Sequence, residues 1–213
     1  MKTYPKIHGP SGGQNESSYA FVKYDGSNLR FEYSPKKGWH KFGTRKTMID
    51  VSHPVYGSGI EMFLERFGDD MIKVFKKDKY MRSAQNITVF AEWFGAKSLG
   101  GAHRPKDPKN VVPFDVNVHK RGFLNPKEFI DSFGHLQVAE LIWQGEFNES
   151  FVDDVKKENI DIESKYDVRA SIPEGVIVKG GSSHRLWMCK IKTERYKEAL
   201  KAVYQQDWVK YWE

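Results

Sequence analysis

The chain has 213 residues, 39% hydrophobic and 14% aromatic, enough for one globular domain with a sizeable core. No apolar run approaches the ~20 residues of a membrane span, and "MKTYPKIHGPSGG" has no apolar stretch of the signal-peptide kind, so a cytoplasmic protein is expected. Lysine plus arginine exceed aspartate plus glutamate by 34 − 28 = 6, a balance that suits nucleic acid and equally a solvated lysine surface, while the single cysteine, Cys189, excludes an internal disulfide and a multi-cysteine zinc site.

In chain order, residues 8–18 are rich in Gly, Ser and Asn and read as a loop. "YAFVKYDGSNLRFEY" reads as two strands flanking Asp25-Gly26, which puts Lys23 at a strand end. "KKGWHKFGTRK" is basic and interleaved with aromatics, with Gly38 and Gly43 expected at turns. In "GIEMFLERFGDDMIKVFKK" the apolar residues Ile60, Phe63, Leu64 and Phe67 follow helical spacing, which resumes after Gly68. "NITVFAEWFG" and "NVVPFDVNVH" are strand-like, and a basic loop, "AKSLGGAHRPKDPK", separates them. "NPKEFIDSFG" begins with an Asn cap and Pro at the first helical position. A strand in "QVAELIWQG", a helix in "NESFVDDVKKEN", a hairpin in "EGVIVKGGSSHRLWMCKIKT" around Gly180-Gly181 and an amphipathic helix in "TERYKEALKAVYQQDWVKYW" complete the order. Antiparallel strands interleaved with helices predict an α+β fold of two curved sheets with helices outside, in one domain over 1–213. No GxxxxGK[ST] and no GxGxxG after a strand is present.

Chemistry is carried by a series rather than by one motif. It runs through Lys23-x-Asp25-Gly26, Arg45, Glu92 in "VFAEWFG", Phe114-Asp115, Glu174-Gly175 in "PEGVIVKG" and Lys190-x-Lys192 in "MCKIK". Glu92 interrupts an apolar strand, where an unpartnered charge would be costly. Lys190 and Lys192 alternate on a strand and so point the same way.

In order and spacing, over about residues 20–193, the series resembles the covalent nucleotidyltransferase superfamily of ATP-dependent DNA ligases, RNA ligases and mRNA capping enzymes. It is most similar to the phage T4 double-strand RNA ligase family, through "VFAEWFGAKSLGG". The resemblance implies a nucleotide held between two sheets and an ATP-dependent RNA ligase that joins 5′-phosphate to 3′-hydroxyl ends through lysyl-AMP. It makes Lys23 the nucleophile, and Asp25, Gly26, Asn28, Arg45, Glu92, Phe114, Glu174, Lys190 and Lys192 nucleotide contacts. A divalent ion, Mg2+ or Mn2+, is expected on Glu174 and Asp25, and RNA ends on the basic surface of a monomer. Asp115 and Lys179 belong to the same motifs. Arg30 is an alternative to Asn28, because many DNA ligases carry an arginine near that place. A minimal DNA ligase, a non-catalytic nucleic-acid-binding module and GTP use remain open. The OB-fold domain into which DNA ligases and capping enzymes usually continue is not expected here.

A lysine that attacks a phosphate must be neutral, so its ordinary pKa near ~10.4 has to fall through cationic neighbours and desolvation. Two tetrapeptides compete for that role, Lys6-Ile7-His8-Gly9 and Lys23-Tyr24-Asp25-Gly26. Lys6 lies among Pro5, Gly9-Pro10 and Gly12-Gly13, whereas Lys23 lies on a strand, and Arg45 follows Lys23 by 45 − 23 = 22 residues, a gap that fits the superfamily.

Overall fold

The structure, a computed structural model, describes residues 1–96, 107–166, 172–182 and 185–212. The segments flanking Asp25-Gly26 do form strands, β1 (Ser17–Lys23) and β2 (Gly26–Ser34), and these enter different sheets. The chain divides accordingly into two units.

The first unit comprises Met1–Pro5, Ser27–Trp93 and Asn110–Val138. Its sheet has the order β4-β3-β2-β5-β6-β7, with β3 (Gly38–Thr44), β4 (Met48–Ile49), β5 (Ile87–Phe94), β6 (Asn110–Val118) and β7 (Gly122–Phe123). Helices α1 (Gly57–Phe63) and α2 (Asp69–Lys77) bury Ile60, Phe63, Met71 and Phe75. Phe63 stacks on Phe31 of β2 at 3.6 Å between ring centroids. Burying each such ring contributes about 2 kcal/mol. The helical pattern does not break at Gly68: a π-helical turn, Leu64–Gly68, joins α1 to α2 and keeps Phe67 buried with Phe63. Helix α3 (Pro126–Phe133) starts as its sequence predicts, with a capping box between Asn125 and Glu128. Gly38 is a turn residue, with φ +65°, but Gly43 is not. It lies within β3, where a Cβ would come 2.9 Å from the Thr47 carbonyl oxygen.

The second unit comprises Lys6–Gly26, Phe94–Lys109 and Ala139–Glu213. Its sheet runs β10-β9-β1-β8, with β8 (Leu141–Glu146), β9 (Gly175–Gly180) and β10 (Trp187–Lys192), all pairs antiparallel. Period-two alternation divides the two faces of this sheet. One face presents Ala20, Val176, Val178, Trp187, Cys189 and Ile191, packed with Phe151, Val152 and Val155 of α4 (Glu149–Lys156). Burial there pushes the Cys189 thiol up to about 12, as expected of an inert core cysteine. The other face carries Lys23, Lys179, Lys190 and Lys192.

Three expectations shift in this unit. The strand read into "QVAELIWQG" begins only at Leu141. The closing helix is α5 (Glu194–Tyr204), a 3-10 turn at Gln205–Asp207 and α6 (Val209–Trp212), divided where Gln205 takes φ +48°. The loop at 8–18 contains a 3-10 turn, Pro10–Gly12, and lies against β10: His8 bridges Cys189 in parallel, and the Lys190 N–H donates to the His8 carbonyl at 2.8 Å. Most of the basic loop in "AKSLGGAHRPKDPK", 97–106, and two residues of the β9–β10 turn lie outside the described residues.

Candidate active site

Strand register assembles the charged cluster of the second unit. Lys23 on β1 and Lys192 on β10 both pair with Gly175 on β9, so one row across three strands reads Lys23, Gly175, Lys192. The middle position must be glycine, because its φ is +143° and a Cβ would lie 2.0 Å from the Ile191 carbonyl oxygen. Glu174, one residue before it, is buried and accepts from both lysines, 2.7 Å from Lys23 Nζ and 3.0 Å from Lys192 Nζ. Burial pushes the Glu174 carboxyl up, yet the ammonium groups of Lys23 and Lys192 outweigh it and hold it below the usual range. Lys190, one row further along with Ile177 and Phe21, is brought down to about 8 by burial, then by Lys192 and Lys23, with Lys6 adding a smaller push.

Asp25 follows the end of β1 and is buried. Burial first, and the charge of Glu174 second, push its carboxyl up to about 7 against the pull of Lys23. One of its oxygens, Oδ2, is buried without a hydrogen-bond donor, although Asp25 does accept from the Tyr196 hydroxyl. An orphaned carboxylate oxygen beside a second carboxylate fits a hard divalent ion whose remaining ligands are water and phosphate oxygens. No group of three His, Cys, Asp or Glu side chains able to hold a metal by themselves occurs among the described residues. Lys192 is held further by the Tyr211 carbonyl at 3.2 Å and by the faces of Tyr196 and Trp212, each centroid 5.3 Å from Nζ. Lys179 is buried with its Nζ 5.0 Å from the Phe21 ring centroid.

Lys23, Asp25, Gly26, Glu174, Lys190 and Lys192 thus all fall in the second unit, the five charged ones within electrostatic reach of one another. Asn28, Arg45, Glu92 and Phe114 belong to the first. There Tyr4, which no motif marked, is the common neighbour. Its hydroxyl donates to Asp115 Oδ2 at 2.6 Å and its ring meets Phe114 edge-on at 5.1 Å. Burial and the Asp115 carboxylate, with Glu92 adding to them and Arg45 opposing, raise its phenol well above the ordinary value. Arg45 is exposed and donates to the Pro5 carbonyl at 2.9 Å. Asn28 keeps a buried Oδ1 without a hydrogen-bond donor. Arg30 is spent on structure: it donates to the Thr44 carbonyl at 2.6 Å and to the Lys2 carbonyl and Thr3 hydroxyl, which ties down the N-terminal pentapeptide. Those bonds favour Asn28 over Arg30 as the polar contact of that strand.

Two sheets with flanking helices, and a lysine-carboxylate row on one of them, are the framework of the nucleotidyltransferase superfamily. Within it the chain belongs to the RNA ligase family, whose model matches residues 17–203. The fold is also that of Naegleria gruberi RNA ligase. The structure of that enzyme with PPi superposes with a TM-score of 0.67 at 13% identity, covering 95% of this chain and 58% of that one. A mutant with ATP and Mn gives 0.66 at 13%, covering 92% and 57%, and a mutant with AMP and Mn gives 0.64 at 13%, covering 91% and 56%. This chain therefore spans a little over half the length of the solved ligases it resembles. No curated protein matches it in sequence.

Proposed function

We propose that this chain is an ATP-dependent RNA ligase that works through a covalent lysyl-AMP on Lys23. The observation that carries the reading is the 2.7 Å pairing of Lys23 with buried Glu174 in a row shared with Lys192. Lys23 Nζ attacks the α-phosphorus of ATP, the bond to the β-phosphate bridging oxygen breaks, pyrophosphate leaves and the amine proton passes to solvent. A 5′-phosphate oxygen of RNA then attacks the same phosphorus and the P–N bond breaks, which returns the lysine amine. Finally a 3′-hydroxyl attacks the activated 5′-phosphate and AMP leaves.

In this sequence of steps Glu174 orients the Lys23 amine, while Lys190 and Lys192 favour its neutral form and compensate phosphate charge. Asp25 and Glu174 are the residues that would hold Mg2+ or Mn2+, which when bound supplies further charge neutralisation at the phosphates. Asn28, Arg45, Glu92 and Phe114 are assigned nucleotide contacts, and Arg45 with Lys36, Lys37, Lys41 and Lys46 the RNA backbone, so affinity should fall steeply with salt.

Incubation with α-labelled ATP and magnesium should leave label on the denatured protein. Lys23→Ala should abolish the label and Lys6→Ala should retain it; the opposite pattern refutes the assignment. Sealing of nicked RNA in preference to nicked DNA at equal enzyme distinguishes an RNA ligase of the double-strand type from a compact DNA ligase. Failure of both duplexes to be sealed by a protein that still binds them favours the binding-module reading.

A further inference from the structure

Tyr196 stands three residues into α5, a helix after the last motif, and nothing in the motif series assigns it a role. It is 2% exposed, and its placement is unusually well determined by the backbone. Thr193 is the N-cap: its Oγ1 accepts from the Tyr196 N–H at 3.0 Å and donates to the Pro173 carbonyl at 3.0 Å. The Thr193 N–H donates to the Glu174 carbonyl at 3.1 Å. The first turn of α5 is therefore tied to the same residue whose side chain bridges Lys23 and Lys192. From that anchored position the Tyr196 hydroxyl reaches the Asp25 carboxylate, and its ring face lies 5.3 Å from the Lys192 ammonium.

The two contacts have different physical effects. A hydrogen bond to one Asp25 oxygen fixes the carboxyl plane and so fixes where the orphaned Oδ2 points. The ring offers Lys192 a cation–π face that holds the ammonium without a second negative charge, which leaves it able to meet phosphate. Burial, Glu174 and Asp25 together raise the phenol far above its ordinary value, so it stays a hydrogen-bond donor throughout the working pH range.

We infer that Tyr196 is a positioning residue of the adenylylation site, its hydroxyl aiming Asp25 and its ring aiming Lys192. The inference rests on the lysyl-AMP reading above. It predicts separable effects for two substitutions. Tyr196→Phe keeps the ring and removes the hydroxyl. In single-turnover labelling it should lower the first-order rate constant about tenfold, with the labelled fraction at completion and the half-saturating ATP concentration each within twofold of wild type. Tyr196→Leu removes the ring as well and should raise the half-saturating ATP concentration several-fold in addition.

A loosened fold would instead lower the labelled fraction and leave the rate constant of the folded molecules alone, which overturns the inference. In an Asp25→Asn background, Tyr196→Phe should have less than a twofold further effect, and a persisting tenfold loss overturns it too. A readout independent of turnover is the 13Cγ resonance of Asp25 in nucleotide-free protein, which Tyr196→Phe should shift while the other aspartates stay put; an unmoved resonance refutes the contact. Absence of label on the wild-type protein refutes the lysyl-AMP reading and this inference with it. A labelled wild type with an unchanged Tyr196→Phe rate constant refutes the inference alone.

Discussion

The two units hold their candidate residues by different physics. In the second, four buried or half-buried charges, Lys23, Asp25, Glu174 and Lys192, hold one another directly through ion pairs of 2.7 and 3.0 Å and through opposed carboxylates. In the first, Glu92, Arg45, Phe114 and Asp115 gather around a neutral phenol, and the strap that carries it is fixed by hydrogen bonds to backbone carbonyls. A charge cluster fails when one member is removed, because the others remain buried without their counterion. A hydrogen-bonded strap loses one bond at a time.

Removing Glu174 is the hardest test of that contrast. Glu174→Ala leaves Lys23 and Lys192 facing each other across Gly175, and breaking such a buried set costs about 3 kcal/mol. Urea denaturation should show that loss, and lysine labelling should fall at least about a hundredfold, since each 1.36 kcal/mol of lost transition-state stabilisation is tenfold. Adding Lys192→Met should recover part of the stability and none of the labelling. If Glu174→Ala is as stable as wild type, the ion pairs do not hold the cluster and the contrast between the units fails.

A smaller effect is expected from Gly175→Ala, which perturbs the same row without touching a charge. The left-handed φ and the 2.0 Å approach to the Ile191 carbonyl together should cost about 2 kcal/mol, read as a lower thermal midpoint. Tyr4→Phe probes the first unit. It removes the donor to Asp115 Oδ2 and should cost about 1–2 kcal/mol, with the six-stranded sheet intact by circular dichroism. Were Tyr4→Phe to cost more than Glu174→Ala, the strap rather than the charge cluster would be the tighter of the two.

The sequence is most informative where one residue type repeats with the period of its element. Alternation in "EGVIVKG" and "WMCKIK" separates the dry face of the four-stranded sheet from its lysine face, and motif order placed Lys23, Glu174, Lys190 and Lys192 in one reading. The Asn125 cap was equally plain. What could not be read are contacts that depend on distant chain segments meeting. Tyr4 reaches Asp115 across 111 residues and Tyr196 reaches Asp25 across 171, and neither tyrosine stands in a local pattern different from any buried aromatic. Arg30 looked like a phosphate ligand in sequence because guanidinium chemistry is the same whether it meets phosphate or the carbonyls of Thr44 and Lys2. The π-helical turn at Leu64–Gly68 escaped because a glycine in a helical pattern signals a break as readily as a change of winding.

The mildest test concerns Lys190, the member of the cluster without an ion pair to Glu174 among those described, whose ammonium titrates at about 8. Burial and the positive charges of Lys192 and Lys23 disfavour its charged form in the folded chain, whereas in the unfolded chain it titrates near ~10.4. Between those two values the unfolded state binds more protons, so this group makes the folded protein gain stability as pH rises from about 8 towards 10, a destabilisation fully present below pH 8. Because the side chain is partly solvated the slope should be shallow. NMR of 13Cε-lysine should show one resonance titrating near 8 that vanishes in Lys190→Arg. In Glu174→Ala the same resonance should titrate lower still, since the carboxylate that favours the Lys190 charge is gone while Lys23 and Lys192 remain; a titration moving upward in that variant would mean that Glu174 and Lys190 do not feel each other and that the cluster ends at Lys192.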